Sequence, residues 1–303
     1  MENLKFKNLL WINLQNPEKE SLKKLQKSFR FHDLDIEDCL SSREQAKMEI
    51  HSKHIFLIFK FPFFNKKTRL FQIEELKIFL GKNFILTIHS GKLKKIDKIF
   101  QEAKEKLKIR RQFFKDGHGK FLWEILKTLF ADIFPSLDKM SLKIKKMEKE
   151  IFENHIIKNR LSKILILKRN LITLKRILLP QRGVMLELEK IKVRFLPDHL
   201  EIFFDDILDK IEKLIEISST LQDLVESLRE TNETMITHSL NNTIKVLTVF
   251  SAVMLPLTFI TGLFGMNVAI PYEEKYFSFL SILLGMFFLG ILMLSFFKWR
   301  KWI

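Results

Sequence analysis

The chain has 303 residues, with 52 Lys and Arg against 36 Asp and Glu and a formal charge of +16. Its one cysteine, Cys39, excludes an internal disulfide framework and fits a reducing compartment, where it reads as a small buried apolar residue. The basic excess lies mostly before residue 244, over amphipathic helices interspersed with acidic residues; that pattern suits solvated faces near an anionic leaflet, and no nucleic-acid partner is expected.

Residues 1–8 hold Glu2 in place of a clean basic region and no long apolar stretch, so no signal peptide is expected there and a later segment must direct membrane insertion. Residues 9–14 read as a strand, Asn16-Pro17 as a turn, and residues 18–29 as a helix with Leu22, Leu25 and Phe29 on one face. Residues 54–61, 72–80 and 84–88 read as further strands, rich in Ile, Phe and Leu and punctuated by Gly81-Lys82-Asn83. Residues 1–90 are therefore expected to form an α/β subdomain. His51 and His54 stand three apart within it, and such a pair near a Lys reads as solvated side chains before it reads as metal ligands.

From residue 91 to 197 the apolar period is helical, with Leu122, Ile125, Leu126, Leu129 and Phe130 on one face. Gly117-His118-Gly119 breaks the pattern and reads as a helix connector; Pro135, Pro180 and Pro197 punctuate it. That glycine pair lacks the spacing of a phosphate cradle, and no GxxxxGK(S/T) loop occurs, so no enzyme is expected.

Residues 198–264 contain no Gly or Pro until Pro256, which predicts one helix of roughly 100 Å at about 1.5 Å per residue. Such a helix needs partners for its stripe of Ile207, Ile211, Leu214, Ile215, Leu221, Leu224, Val225 and Leu228. Two uncharged runs follow, residues 246–263 inside this helix and residues 276–297. They reach roughly 27 and 33 Å, matching the ~30 Å hydrocarbon core of a bilayer. The second run closes on Lys298, Trp299, Arg300, Lys301 and Trp302, a basic and aromatic tail over 298–303. Glu273 and Glu274 mark the connecting loop, 265–275, while Lys245 and the tail mark the opposite ends. Charge bias therefore predicts a multi-pass plasma-membrane chain with the loop outside and both termini cytoplasmic.

Through the first span a polar and small seam recurs at close to 3.5 residues: Asn241, Ile244, Leu247 or Thr248, Ser251, Leu255, Thr258, Gly262 and Gly265. Periodicity alone leaves two readings open, a packing face between membrane helices and the lining of a pore. Beyond the seam, Gly265 can end the helix in a left-handed conformation and Asn267 can add an amide oxygen. His238, one turn before Asn241, reads as a partner in an interhelical hydrogen bond.

The tripeptide Gly265-Met266-Asn267 between two C-terminal spans resembles the signature of the CorA family of divalent cation channels. The resemblance runs along nearly the whole chain in order: WINL, NPEKESLKKL, FHDLDIEDCL, HIFLIFKF, EELKIFLGKNFILTIH, LKRNLITLKRILLPQR and MLPLTFITGLFGMN. Phe264 stands where many members carry Tyr. The resemblance implies an α/β cytosolic domain, a very long stalk and pore helix, and two C-terminal transmembrane helices, assembled as a funnel-shaped homopentamer in the lipid bilayer. It implies that Gly265, Met266 and Asn267 select hydrated Mg²⁺ and that the seam helix of each subunit lines one pore. Asn241 and Thr258 would then form oxygen rings, and Ile244, Leu247 and Leu255 apolar constrictions that close by dewetting. Cytosolic Mg²⁺ held by carboxylates between subunits would keep the channel shut. The string FFDDILDKIE makes Asp206, with Asp209 one turn away, the counterpart of that regulatory metal site, although the stretch NKKTRL around Asn65 offers no acidic partner.

The reading is a channel for Mg²⁺, with Co²⁺ and Ni²⁺ as further divalent ions. Its alternatives are a Zn²⁺ transporter of the same superfamily and, in another class, a membrane-anchored basic scaffold or nucleic-acid-binding module. Polar residues along one stripe of the span argue against a mere anchor.

Overall fold

The computed structural model describes residues 2–41, 45–114, 117–153, 160–191, 200–266 and 276–302. They form two compact units, Met1–Arg229 and Glu230–Ile303.

The first unit is built on a six-stranded sheet of β1 (Glu2–Phe6), β2 (Leu9–Gln15), β3 (Lys47–Ile50), β4 (His54–Asn65), β5 (Leu70–Gly81) and β6 (Phe84–His89). Their order is β1-β2-β6-β5-β4-β3, with β2 and β6 parallel and the other pairs antiparallel. Alternation along each strand assigns its side chains to two helical layers. Ile12, Leu14, Phe56, Ile58, Phe79, Leu86 and Ile88 meet Leu22 and Leu25 of α1 (Lys19–Phe29) and Ile36 and Cys39 of α2 (Asp33–Leu40). On the other face lie α3 (Lys94–Glu105), α4 (Leu107–Phe114), α5 (Gly117–Ala131), α6 (Phe134–Phe152) and α7 (Arg160–Glu189). There Trp11 meets Phe100 and Phe121 edge-on at 4.7 and 5.0 Å, and Phe61 meets Phe130 at 5.1 Å. Burial pushes the Cys39 thiol up to about 12, which leaves it an inert core residue.

Each predicted strand is present and longer than expected, because pairing between β4 and β5 runs on through Pro62↔Ile73 to Asn65↔Leu70 at the turn that joins them. Three elements carry little periodic signal. β1 and β3 are edge strands, half exposed and short. Helix α2, DLDIEDCL, is held at its ends: His32 caps it by accepting from the Leu34 amide at 3.2 Å. The buried Lys77 ammonium donates to the Ser41 and Cys39 carbonyls at 2.7 and 3.3 Å beyond its C-terminus.

Pro135 opens α6 as a first-turn proline, and Gly117, at φ +88°, opens α5. Pro180 does not end α7, contrary to the sequence expectation. The following Gln181 is buried, donating to the Ile177 carbonyl at 2.8 Å and accepting from the Lys60 amide at 2.9 Å, so tertiary packing carries the helix across the missing donor.

The WINL segment has a polar interior as well as an apolar one. Thr87 accepts from the Trp11 indole at 3.1 Å and donates to Asn13 at 2.7 Å; His89 Nε2 lies 3.2 Å from the same Asn13 oxygen. Its Nδ1 accepts from the Gly91 amide at 3.1 Å, which is the arrangement of a neutral imidazole. Burial pulls His89 below the ordinary histidine value, against the opposing pull of Asp97 and Glu74. Folding therefore favours the neutral ring. That stability is present above the unfolded value of about 6.5 and is lost as pH falls through the lower folded value. The thermal midpoint of this unit is expected to drop more steeply between pH 7.5 and 5.5 in the wild type than in His89→Gln. Parallel profiles in differential scanning fluorimetry would contradict this.

Helix α8 (Glu201–Phe264) is continuous for 64 residues, about 96 Å at ~1.5 Å each, and α9 (Tyr276–Trp299) follows. Both contain segments long and apolar enough to cross a membrane. Within the first unit Ile207, Ile211, Leu214, Leu221, Val225 and Leu228 of the α8 stripe are buried, whereas Leu224 is exposed.

Candidate functional site

In the second unit α8 and α9 run antiparallel. Lys245 Nζ donates to the Lys301 carbonyl at 3.0 Å, so the basic ends of both apolar segments lie together. Leu257 of α8 lies beside Gly290 of α9: its Cδ1 would be in ordinary contact, at 3.9 Å, with a Cβ added there. Val249 and Val253 are the buried residues of the α8 segment beyond Glu230 together with Asn232.

The seam lies elsewhere on the helix. At about 100° per residue, Ile244, Leu247, Ser251, Leu255, Thr258 and Gly262 cluster roughly half a turn from Val249 and Val253. Every one of them, and Asn241, is exposed; Leu247 and Leu255 are 63 % and 69 % exposed. A protomer thus buries one α8 face on its own and leaves the polar, small-residue face free. Two hydroxyl protons on or beside this face are already used: Thr258 donates to the Met254 carbonyl and Thr248 to the Ile244 carbonyl, both at 2.8 Å. What Thr258 has left to offer is oxygen lone pairs, which suit a cation or its water shell. His238 lies 3.3 Å from Asn242 of the same helix.

Pro256 sits inside α8 and removes the main-chain donor that would reach the Ala252 carbonyl, yet the helix continues to Phe264. Gly265 does not adopt the left-handed conformation expected of it: its amide bonds the Thr261 carbonyl at 2.9 Å, and positive φ occurs at other glycines. The residue is constrained by space, since a Cβ there would stand 3.0 Å from the Thr261 carbonyl oxygen. Met266 follows with a longer bond, 3.4 Å, to the carbonyl of Leu263 three residues back, and is exposed. Asn267 and the loop to residue 275 lie outside the described residues.

The two carboxylates expected to hold regulatory metal lie in the first unit. Asp209 is exposed. Asp206 accepts from the Trp123 indole at 3.0 Å and pairs with Lys210, one turn along α8. Burial acts to raise its carboxyl, but the hydrogen bonds from Lys210 and Trp123 outweigh it and hold the group below the usual carboxylate range. Asp206 is thus an ionised carboxylate with a cation already beside it, and Trp123 and Lys210 are partners that sequence periodicity did not reveal.

The sequence expectation for the histidine pair fails. His54 is 3 % exposed and His51 only partly exposed, because the turn between β3 and β4 folds both against the wholly buried Asp35 of α2.

Residues 6–299 match the model of the CorA-like Mg²⁺ transporter family. The chain belongs to the CorA family. It is 25 % identical over 296 residues to the cobalt/magnesium transport protein CorA of Thermotoga maritima, a match covering 97 % of this chain and 83 % of that one. Its fold matches the solved CorA magnesium transporter of Methanocaldococcus jannaschii at a TM-score of 0.86 and 23 % identity, over 100 % of this chain and 95 % of that one. A zinc transport protein, ZntB of Pectobacterium atrosepticum, is 24 % identical over 221 residues, 73 % of this chain and 65 % of its own. As a CorA-family protein with two C-terminal apolar helices, this chain is a membrane transporter of divalent cations.

Proposed function

We propose that five copies of this chain enclose a single pore lined by the α8 seam, and that the pore passes hydrated Mg²⁺, with Co²⁺ and Ni²⁺, into the cytoplasm. The observation that carries this reading is the seam itself: Asn241, Ser251, Thr258 and Gly262 share an exposed face of α8, away from its packed residues Val249 and Val253. Within the apolar run the oxygen lone pairs of Ser251 and Thr258 would find no donor in lipid, whereas a water-filled axis solvates them.

Mg²⁺ dehydrates reluctantly, so an efficient pore touches its water shell through oxygen atoms and does not strip the ion. The Thr258 hydroxyls and Asn241 amides supply such oxygens along the bore, and Gly265, Met266 and Asn267 supply the selective mouth. Ile244, Leu247 and Leu255 form the apolar rings that exclude water when the pore is narrow. Lys245, Lys298, Arg300 and Lys301 gather at one end of the two helices and belong on the cytoplasmic side by the positive-inside rule. An inside-negative potential of 100 mV then favours entry by about 4.6 kcal/mol per divalent ion, twice the ~2.3 for one charge.

The test is flux into proteoliposomes with Mg²⁺, Zn²⁺, Co²⁺ and Ni²⁺ in competition. Mg²⁺ uptake that millimolar Co²⁺ and Ni²⁺ inhibit is the expected result. Zn²⁺ uptake indifferent to Mg²⁺ would assign the chain to the zinc branch of the superfamily, and absence of any flux would leave the spans as an anchor.

Asp206 is proposed as the cytosolic Mg²⁺ sensor, and its contacts set the expected behaviour. Bound Mg²⁺ must displace the Lys210 ammonium from the carboxylate, so sensing is weakened by an internal competitor. Asp206→Ala is expected to shift inhibition of the current to several-fold higher internal Mg²⁺, and Lys210→Ala to lower Mg²⁺. Superimposable titrations of current against internal Mg²⁺ for all three proteins would return Asp206 to an ordinary solvated helix face.

A further inference from the structure

Asp35, His51 and His54 converge although α2 and the β3–β4 turn are separate elements, and their ligand atoms all lie within 4.8 Å of one another. Asp35 Oδ2 is 2.9 Å from His51 Nε2 and 3.3 Å from His54 Nε2. The two imidazoles lie nearly parallel, with centroids 4.6 Å apart and planes at 26°. A backbone bond from the His51 amide to the His54 carbonyl, at 2.9 Å, fixes the turn that presents them.

A hydrogen-bonded Asp35–His54 pair does not account for this cluster. Asp35 is 0 % exposed, yet its second oxygen, Oδ1, has no hydrogen-bond partner among the described residues. His51 Nε2 is also buried and makes no hydrogen bond, despite standing 2.9 Å from Oδ2. Proximity without donor alignment is what results when several lone pairs aim at a shared point and not at each other. Unmatched buried polar atoms are costly and call for an explanation. A cation held between Asp35 Oδ2 and the two imidazoles would satisfy the His51 nitrogen.

We propose that Asp35, His51 and His54 form a binding site for a divalent transition-metal ion of the Zn²⁺ class, separate from the conduction pathway. Two imidazole nitrogens and one carboxylate suit Zn²⁺, Co²⁺ or Ni²⁺, whereas Mg²⁺ favours oxygen ligands alone. Bonds of about 2.0–2.1 Å in a tetrahedron put ligand atoms roughly 3.4 Å apart, close to the two separations seen. Three protein ligands leave a fourth position for water or for Glu49, whose Oε2 lies 3.8 Å from His51 Nε2. The ion would tie α2 to the β3–β4 turn at the edge of the sheet. A transporter of divalent cations would then carry, in the same chain, a site that distinguishes nitrogen-seeking metals from Mg²⁺.

The experiment uses the full chain in detergent, free of any affinity tag and stripped with a chelator, in a large excess of Mg²⁺ so that oxygen sites are filled. Zn²⁺ is titrated calorimetrically, and Co²⁺ is followed by its visible d–d absorption. The expected result is one Zn²⁺ per protomer that Mg²⁺ does not displace, with a tetrahedral Co²⁺ band; binding weakens at least tenfold in His51→Ala and in Asp35→Asn. His51→Ala decides the matter if Asp35→Asn fails to fold, because His51 is the most exposed of the three. Asn267→Ala, in the channel mouth, is expected to keep the site intact, which separates this proposal from the reading of the pore. Zn²⁺ displaced by Mg²⁺, an octahedral Co²⁺ spectrum, or equal binding by wild type and a folded His51→Ala would overturn it.

Discussion

Asn267→Ala is expected to abolish Mg²⁺ uptake while leaving assembly intact. In the proposed pentamer the substitution removes five amide oxygens at once from the ring that meets the hydrated ion. Each contact to that water shell is worth a net 0.5–1.5 kcal/mol or so, and five at the low end amount to roughly two orders of magnitude in occupancy of the mouth. The neighbouring residues offer little compensation. Gly265 has no side chain, and Met266 ends in a thioether, a weak acceptor for a hard cation. The measurement is initial uptake into proteoliposomes at matched protein density, with size-exclusion profiles as the control on assembly. Undiminished uptake by a well-assembled variant would remove Asn267 from selectivity and move the filter down to Thr258.

The second large effect is expected at the apolar rings. Leu247→Gly and Ile244→Gly should each raise resting open probability several-fold, because these side chains are largely exposed in the protomer and available to a common axis. A ring of them facing a common axis excludes water from a narrow bore, and ions with it. Glycine also loosens the helix by about 1 kcal/mol relative to Ala, so Leu247→Ala serves as the comparison that removes bulk while keeping helix propensity. A rise in Leu247→Ala as well as in Leu247→Gly assigns the effect to dewetting. Unchanged single-channel open probability in Leu247→Ala, Leu247→Gly and Ile244→Gly alike would place the constriction at Leu255 or elsewhere on the seam.

Both predictions concern residues that were legible in the sequence, and the reason is that each signal is local. An uncharged run as long as a bilayer is thick, a seam recurring every 3.5 residues, and a tripeptide closing a span are patterns within a few turns of one helix. Strands β2, β4, β5 and β6 were legible on similar grounds, as short apolar runs between turn residues. Where local pattern met tertiary packing, packing prevailed: α7 continues through Pro180 because Gln181 is anchored to β4, and Gly265 continues the α8 hydrogen-bond ladder instead of turning left-handed.

The remaining features depended on contacts between residues far apart in the chain. Edge strands β1 and β3 become strands by pairing with β2 and β4, not through their own short, half-exposed sequences. Asp206 draws its indole partner from α5, and the Asn13–Thr87–His89 network exists because β2 pairs in parallel with β6. Asp35, His51 and His54 were readable only as an acidic helix residue and two histidines near a turn. By itself the sequence determined the long helices and the two apolar spans, since periodicity and hydrophobic length are properties of neighbours along the chain. Tertiary structure alone decided which buried polar groups meet, because strand order and register bring together atoms that no local pattern relates.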